Sequence, residues 1–216
     1  MDRLKEKALS GWKCGVMSYR EYNVFFMIVT GILALFVASP ALSRLLVLPR
    51  TEFFTEFWIL GSDHRAEDYP FNISRNRDYG VFLGIGNRLG YCAYYVVEVK
   101  FRNQTQPAPN SFNRTSRGLP SLFSIPAFVA DEGTWELPLT FSFDYRYNET
   151  LAQVGFYSMT LNDADLDMHN YTIAWDSDNS GFLGNLFFEL WIYDAATSGF
   201  RYHERSVGLW FNMTTS

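Results

Sequence analysis

Alternating aspartates are the residues of this chain best suited to chemistry. Asp163, Asp165 and Asp167 are spaced two residues apart, and Asp176-Ser177-Asp178-Asn179-Ser180-Gly181 has oxygen-bearing side chains at positions one, three and five. With glycine at position six, this second segment resembles the start of a calcium-binding loop, although Phe187 stands at position twelve, where a bidentate acid is needed. The alternative is an interstrand turn in which Asp and Asn bond their own backbone. Calcium is therefore the one candidate cofactor, and its candidate ligands are Asp163, Asp165, Asp167, Asp176 and Asp178.

Other patterns that would indicate catalysis are missing from the sequence. His64, His169 and His203 are the only histidines, and they are scattered rather than grouped with cysteine as in a zinc site. We interpret them as surface residues. The chain has no nucleophile elbow, no phosphate-binding glycine loop and no dinucleotide fingerprint. We therefore expect a protein that is not an enzyme, with an envelope enzyme as the least favoured alternative.

Six N-glycosylation sequons lie on one side of a single hydrophobic segment, and none lies on the other. Thirteen asparagines would give only about two such triplets by chance. The excess predicts that everything after the hydrophobic segment is outside the cytoplasm, where glycans are attached. The acceptor residues are Asn72, Asn103, Asn113, Asn148, Asn170 and Asn212.

The hydrophobic segment runs from Val24 to Leu42 without a charge, which is long enough to cross a bilayer as a helix. Lysines and arginines precede it, so the N-terminus should remain in the cytoplasm. We expect a single-pass protein of the cell membrane, with a cytoplasmic tail at 1–21, a transmembrane signal anchor at 22–48 and an extracellular domain at 50–216. A cleaved signal peptide is the alternative, but the apolar run is longer than a signal core and Ser39-Pro40-Ala41 is a poor cleavage context.

Charge and cysteine usage restrict the domain further. Residues 51–216 carry eleven Lys/Arg and twenty Asp/Glu, a net charge of −9, which argues against nucleic acid as a partner. The domain has one cysteine, Cys92, and Cys14 lies across the predicted membrane from it, so the two cannot pair. Because Cys92 lies in an apolar strand-like run, we expect a buried, inert thiol.

Short β-like runs separated by turn signals fill the rest of the chain. The segment 95–101 alternates apolar residues with Glu98 and Lys100, as expected of a strand with one solvated face. Leu186–Tyr193 is apolar apart from Glu189, which indicates a central strand. Residues 103–118 read as an exposed polar loop. The pattern predicts a mainly β, immunoglobulin-like sandwich with strands at Phe53–Leu60, Gly80–Gly86, Tyr91–Phe101, Ser121–Phe128, Trp135–Tyr145, Val154–Leu161, Tyr171–Trp175, Leu186–Tyr193 and Val207–Asn212.

The first strand region also carries a family resemblance. The segment from Phe54 to Gly61 (FTEFWILG), followed by Ala66-Glu67-Asp68-Tyr69-Pro70, resembles the archaeal membrane-protein family called domain of unknown function 1616. Gly84-Ile85-Gly86-Asn87 and the strand at 95–99 extend the resemblance, which covers about residues 50–213. It implies an archaeal envelope setting and a short, single-span version of the family. It implies no activity and no catalytic residues.

These observations favour a non-catalytic, membrane-anchored glycoprotein that acts as an accessory or structural subunit of a larger membrane complex or cell-surface assembly. Its expected partners are membrane lipid and other membrane or cell-surface proteins. Exposed members of Phe53, Phe54 and Trp58 could pack on lipid or on a partner subunit. The alternative is an extracellular binding module for a protein, a glycan or a cation such as calcium, with Trp175 or Tyr202 available to stack on sugars.

Overall fold

The computed structural model describes residues 19–45, 52–110, 115–116 and 118–214 of the chain. They form two compact units, one up to Thr51 and one from Glu52 onward. The first unit contains a helix, α1 (Tyr19–Leu45). The second contains eleven strands: β1 (Phe54–Leu60), β2 (Asn72–Ile73), β3 (Tyr79–Arg88), β4 (Ala93–Asn103), β5 (Phe123–Val129), β6 (Thr134–Asn148), β7 (Gln153–Leu161), β8 (Ala164–Asp167), β9 (Thr172–Ala174), β10 (Leu183–Asp194) and β11 (Gly199–Met213).

Helix α1 is long and apolar enough to cross a membrane, and it is the one such helix among the described residues. None of its apolar window, Tyr22–Ser39, is buried by other protein atoms. The single hydroxyl donor in the middle of that window, on Thr30, donates to the Phe26 carbonyl at 2.7 Å. The helix continues through Pro40 to Leu45. Its length and composition are those of a helix that could serve as a membrane anchor.

The second unit is a sandwich of two sheets. One sheet has the order β1-β3-β6-β7-β8, with β9 also paired to β7, and the other has the order β2-β11-β10-β4-β5. All pairs are antiparallel except β2 with β11. Strand β10 lies at the centre of its sheet, as its apolar sequence predicted. The mainly β class, with two sheets and one N-terminal helix, is confirmed, and the arrangement is compatible with an immunoglobulin-like sandwich.

Phenylalanine rings fill the space between the two sheets. Phe101 lies 5.7 Å from Phe143 between ring centroids, and Phe141 lies 5.2 Å from Phe211. Each pair joins one sheet to the other, because β4 and β11 belong to one sheet and β6 to its partner. These aromatic contacts position the sheets and therefore the surfaces that they carry.

Two strands and one boundary depart from the sequence prediction. Strands β2 and β8 were not predicted, because two and four residues are too few to show a clear strand pattern. Strand β11 begins at Gly199, eight residues before the predicted start at Val207. Its first half, Gly199–Ser206, is rich in charged residues, and pairing with β10 holds it in the sheet despite that composition.

Candidate functional site

The sandwich has two chemically different ends. We call one the aromatic end: it contains the start of β1 and the turns 89–92, 130–133 and 195–198. The other, the sequon end, contains the last residues of β4, β6 and β11, which include Asn103, Asn148 and Asn212. Asn72 pairs with Asn212 there, and Asn170 precedes the Tyr171 carbonyl that accepts from Phe156 of β7. The sixth sequon residue, Asn113, lies outside the described residues.

A row of four aromatic side chains crosses the outer face of the β5-β4-β10-β11 sheet at the aromatic end. Phe128 pairs with Tyr94, and Tyr193 pairs with Phe200. Ring centroids are 6.4 Å apart for Phe128 and Tyr94, 6.4 Å for Tyr94 and Tyr193, and 5.5 Å for Tyr193 and Phe200. Their exposed fractions are 69% for Phe128, 39% for Tyr94 and 41% for both Tyr193 and Phe200. We call this set the aromatic row; it is a contiguous apolar surface built on paired strands.

A β-bulge lies beside the row, at a half-buried histidine. The register between β10 and β11 shifts between Leu190 and Trp191, so His203 and Glu204 have no partner on β10. Glu204 has a left-handed backbone, with φ of 58°. His203 is half-buried instead of lying on the surface, because it alternates with Tyr202, whose ring lies 5.9 Å from the Trp191 ring on the outer face. The surface interpretation was wrong for this residue.

His203 joins a polar network that links both sheets. Its Nε2 lies 2.7 Å from the Thr55 hydroxyl, which lies 3.1 Å from the Tyr95 hydroxyl. Tyr95 donates to Asn87 Oδ1 at 3.3 Å, and the Asn87 amide donates to the Val129 carbonyl at 3.0 Å. Burial, followed by the charges of the neighbouring arginines 201 and 205, lowers the pKa of His203 to about 4. The network therefore holds a neutral histidine at pH 7 and ties the strands beneath the aromatic row together.

A buried ion pair supports the middle of the same sheet face. Lys100 Nζ lies 2.7 Å from Glu189 Oε2 and 2.7 Å from Glu98 Oε2, and the Glu189 side chain is 0% exposed. Lys100 also lies 5.8 Å from the Trp191 ring. Burial opposes the charge of Lys100, but its hydrogen bonds to the two glutamates and their negative charges outweigh burial and raise the pKa of Lys100. Lys100, the only lysine beyond residue 51, is therefore buried in an ion pair and is not a solvated surface residue.

A family model, Domain of unknown function (DUF1616), matches residues 48–176. The chain belongs to this family. The matched residues include β1 to β9 and the segments that carried the sequence resemblance, whereas β10 and β11 follow the matched range. In this DUF1616 protein, half of the aromatic row (Tyr94 and Phe128) thus comes from the family-matched region and half from the strands beyond it.

Comparison with solved structures gives weak likenesses. Two crystal structures of β-glucosidase from Listeria innocua, in complex with glucose and with gluconolactone, align with 74% of this chain at 10% and 11% identity. Their TM-scores are 0.34 and 0.35, and the chain spans 16% of the length of each enzyme. A comparison with curated proteins gave no match.

The candidate calcium ligands of the DUF1616 protein lie in two separate places. Asp163 is in the turn between β7 and β8, and Asp165 and Asp167 follow on β8. Asp176 instead caps its own turn, accepting from the Asp178 amide at 3.0 Å and from Asn179 Nδ2 at 2.8 Å. Among the residues that the structure describes, no three His, Cys, Asp or Glu side chains converge as metal ligands.

Carboxylates in both places are engaged by neighbours. Hydrogen bonds from the backbone and ring of His169 lower the pKa of Asp167, whose Oδ1 lies 2.5 Å from His169 Nδ1. Hydrogen bonds from the side chain and backbone of Asn179 lower the pKa of Asp176. The second segment has the self-bonded turn geometry that was the alternative to a calcium loop.

Three of the described sequon asparagines are exposed, and two are held within the fold. Asn72, Asn148 and Asn170 are exposed. The Asn103 side-chain amide donates to the Thr172 carbonyl at 3.3 Å, and that of Asn212 donates to Asn72 Oδ1 at 3.1 Å. Access to the acceptor nitrogen therefore differs among the sites.

Cys92 is exposed, so the prediction of a buried thiol was wrong. It lies just before β4, where Ala93 and Tyr95 take the inward positions and Cys92 and Tyr94 point out. The aromatic row was not predicted from the sequence. Each of the four strands has a tyrosine or phenylalanine at an outward position beside a turn, and this pattern is visible in the sequence. The strand pairing that brings the four rings into one row is not, because no single segment contains it.

Proposed function

We propose that this protein is a non-catalytic, membrane-anchored, N-glycosylated extracellular protein that serves as an accessory or structural subunit of a larger membrane complex or cell-surface assembly. The observation that carries this proposal is the separation of the described sequons from the aromatic row, at opposite ends of one sandwich. The apolar, protein-free surface of α1 supports a single-pass anchor in the cell membrane. The family resemblance favours an archaeal envelope.

Glycans at the sequon end would keep that end solvated and would exclude partners from it. The aromatic end would remain bare and apolar, and contiguous exposed apolar surfaces mark interaction sites. The sequons all follow α1 in the chain, and lysines and arginines precede it. Both facts favour a cytoplasmic N-terminus and an extracellular sandwich.

The orientation is tested by adding protease to intact cells and identifying the cleaved peptides by mass spectrometry, with glycopeptides scored in the same runs. We expect cleavage in the loops of 52–214 and glycans on sequon peptides. Protection of these loops in intact cells, with cleavage only after lysis, would reverse the proposed topology.

The subunit role is tested by extracting the native protein in a mild detergent, separating it by size and identifying what comigrates. We expect a stoichiometric membrane or cell-surface partner. A matched sample of the Phe128→Ser variant, which truncates the most exposed ring of the row, shows whether the aromatic row is needed for that assembly. A lone glycosylated monomer or dimer would contradict the subunit role.

A second candidate function, an extracellular binding module for a protein, a glycan or a cation such as calcium, is favoured by one cleft. It has a volume of about 520 Å³ and is lined by Asp165, Asp167 and Tyr171. The Tyr171 hydroxyl has no hydrogen-bond partner among the described residues. Calcium binding here should raise the unfolding temperature relative to magnesium, and Asp165→Asn should abolish the difference. An unchanged unfolding temperature with calcium would eliminate the cation form of this function.

A further inference from the structure

We propose that the aromatic end of the sandwich rests on the lipid–water interface of the membrane that holds α1, with the aromatic row as its contact surface. This inference relies on the membrane anchoring in the proposed function, but not on the existence of a partner subunit.

Exposed aromatic side chains concentrate at this end. Among the described residues of 52–214, twelve aromatic residues are exposed; seven of them lie at the aromatic end and five lie elsewhere. Three of the seven, Phe53, Phe54 and Tyr91, are next to the start of β1 or in the turn before β4 and add to the four of the row. The full set at this end is Phe53, Phe54, Tyr91, Tyr94, Phe128, Tyr193 and Phe200.

The chain enters the domain at the same end. Helix α1 ends at Leu45, and the described part of the domain begins at Glu52, next to the first residues of β1. The connection is seven residue steps, which spans at most about 25 Å when fully extended. A domain tethered this closely meets the bilayer surface repeatedly, and the end that carries the tether is the end best placed to meet it.

The residue types match an interface rather than a hydrocarbon interior. Tyrosine combines an apolar ring with a polar hydroxyl, and tyrosine is enriched where a bilayer meets water. In the row, Tyr94 and Tyr193 lie next to each other in the middle, and one phenylalanine lies at each edge. Rings could enter the headgroup region while the two hydroxyl groups remain hydrated.

The charges at the aromatic end indicate that this contact does not need anionic lipid headgroups. At the aromatic end, Arg201 lies 3.8 Å from Asp194 and Arg88 lies 3.8 Å from Glu56, so each of these two arginines faces a carboxylate. The only lysine beyond residue 51 is buried against Glu189. Because these described basic groups already face carboxylates, the contact should depend on the rings and not on lipid charge.

Cys92 provides a native reporter for the test, because it is exposed and lies between Tyr91 and β4 at the aromatic end. The full chain with Cys14→Ser is spin-labelled at Cys92 and placed in phosphatidylcholine nanodiscs. Collision rates with oxygen, which enters lipid, and with a polar nickel chelate, which does not, are measured by power saturation. We expect the nickel collision rate at Cys92 to be several-fold lower than at a distal control.

The distal control is Leu151→Cys in a chain that also carries Cys14→Ser and Cys92→Ser. Leu151 is exposed in the turn between β6 and β7, at the sequon end, and is not part of a sequon triplet. The variants Phe128→Ser and Phe200→Ser, with the fold checked by circular dichroism, should each restore nickel access at Cys92. Replacing part of the phosphatidylcholine with an anionic lipid should leave the result unchanged.

Equal nickel access at Cys92 and at the distal position would overturn the inference. Protection of Cys92 that occurs only in native extracts, and not in lipid nanodiscs, would also overturn it and would assign the row to a protein partner. These outcomes differ from a failure of the proposed function, which would appear as a chain that does not incorporate into nanodiscs or as a native extract without a partner.

Discussion

Replacing His203 by glutamine should make the stability of the sandwich less sensitive to acid. In the folded protein the imidazole lies in the bulge of β11, with Nε2 2.7 Å from the Thr55 hydroxyl. Burial and the charges of Arg201 and Arg205 disfavour its protonation and lower its pKa to about 4. Glutamine can still bond Thr55 through its amide, but it cannot take up a proton in this range.

The size and sign of the effect follow from the two pKa values of His203. The folded value, about 4, lies below the ordinary value of 6.5, so the folded state favours the neutral ring. Stability from this group is present above pH 6.5 and is lost as the pH falls toward 4. At about 1.4 kcal/mol for each pH unit between the two values, the wild-type protein should lose about 3 kcal/mol more than His203→Gln between pH 7 and pH 4.

The assay is urea unfolding of the full chain in mild detergent, followed by tryptophan fluorescence at pH 7 and at pH 4. The matched control is His64→Gln, which removes an exposed histidine from the loop after β1 and should retain the wild-type loss. Parallel losses in wild type and His203→Gln would refute the argument, because they would show that the ring does not resist protonation in the fold.

Three further predictions concern the core, the ion pair and the sequons. Gly184→Ala should lower the free energy of unfolding by about 1–3 kcal/mol, since an added Cβ would lie 2.5 Å from Phe101 Cζ, whereas Gly155→Ala meets nothing within 4 Å and should change it little; urea unfolding of both variants checks this. Lys100→Met should cost about 3 kcal/mol in the same assay because buried Glu189 loses its lysine partner, and an unchanged midpoint would contradict a stabilising role for the pair. Glycopeptide mass spectrometry should find higher occupancy at exposed sequons than at those whose amides are bonded within the fold, and the reverse order would contradict it; the exposed ones are Asn72, Asn148 and Asn170, and the bonded ones are Asn103 and Asn212.

Strand periodicity made most of the sandwich predictable. Where side chains alternate between core and solvent, as from Tyr95 to Phe101, the position of the strand follows from the residues alone. All nine predicted strands overlap observed ones. The failures were segments in which pairing overrides composition, such as the charged first half of β11 and the four-residue β8.

The chemistry of the surface was less predictable than the strands. The sequence identified the aspartates and the sequons by residue type, but it could not say which of them are engaged by neighbours. The interpretation of Cys92 as buried failed because an apolar neighbourhood in sequence does not reveal on which face a strand begins. His203 was misjudged because the residue types alone do not show which face of its strand packs against β1, where its ring meets the Thr55 hydroxyl.

By itself, the sequence determined the apolar helix, the mainly β class, the central position of β10 and the family. These properties depend on local composition and on periods of two or of about four residues, which a single segment contains. Only the tertiary structure decided that the sequons and the exposed rings occupy opposite ends, and that Phe128, Tyr94, Tyr193 and Phe200 form one row. The physical reason is that hydrogen-bonded register, not distance along the chain, sets which side chains are neighbours across a sheet.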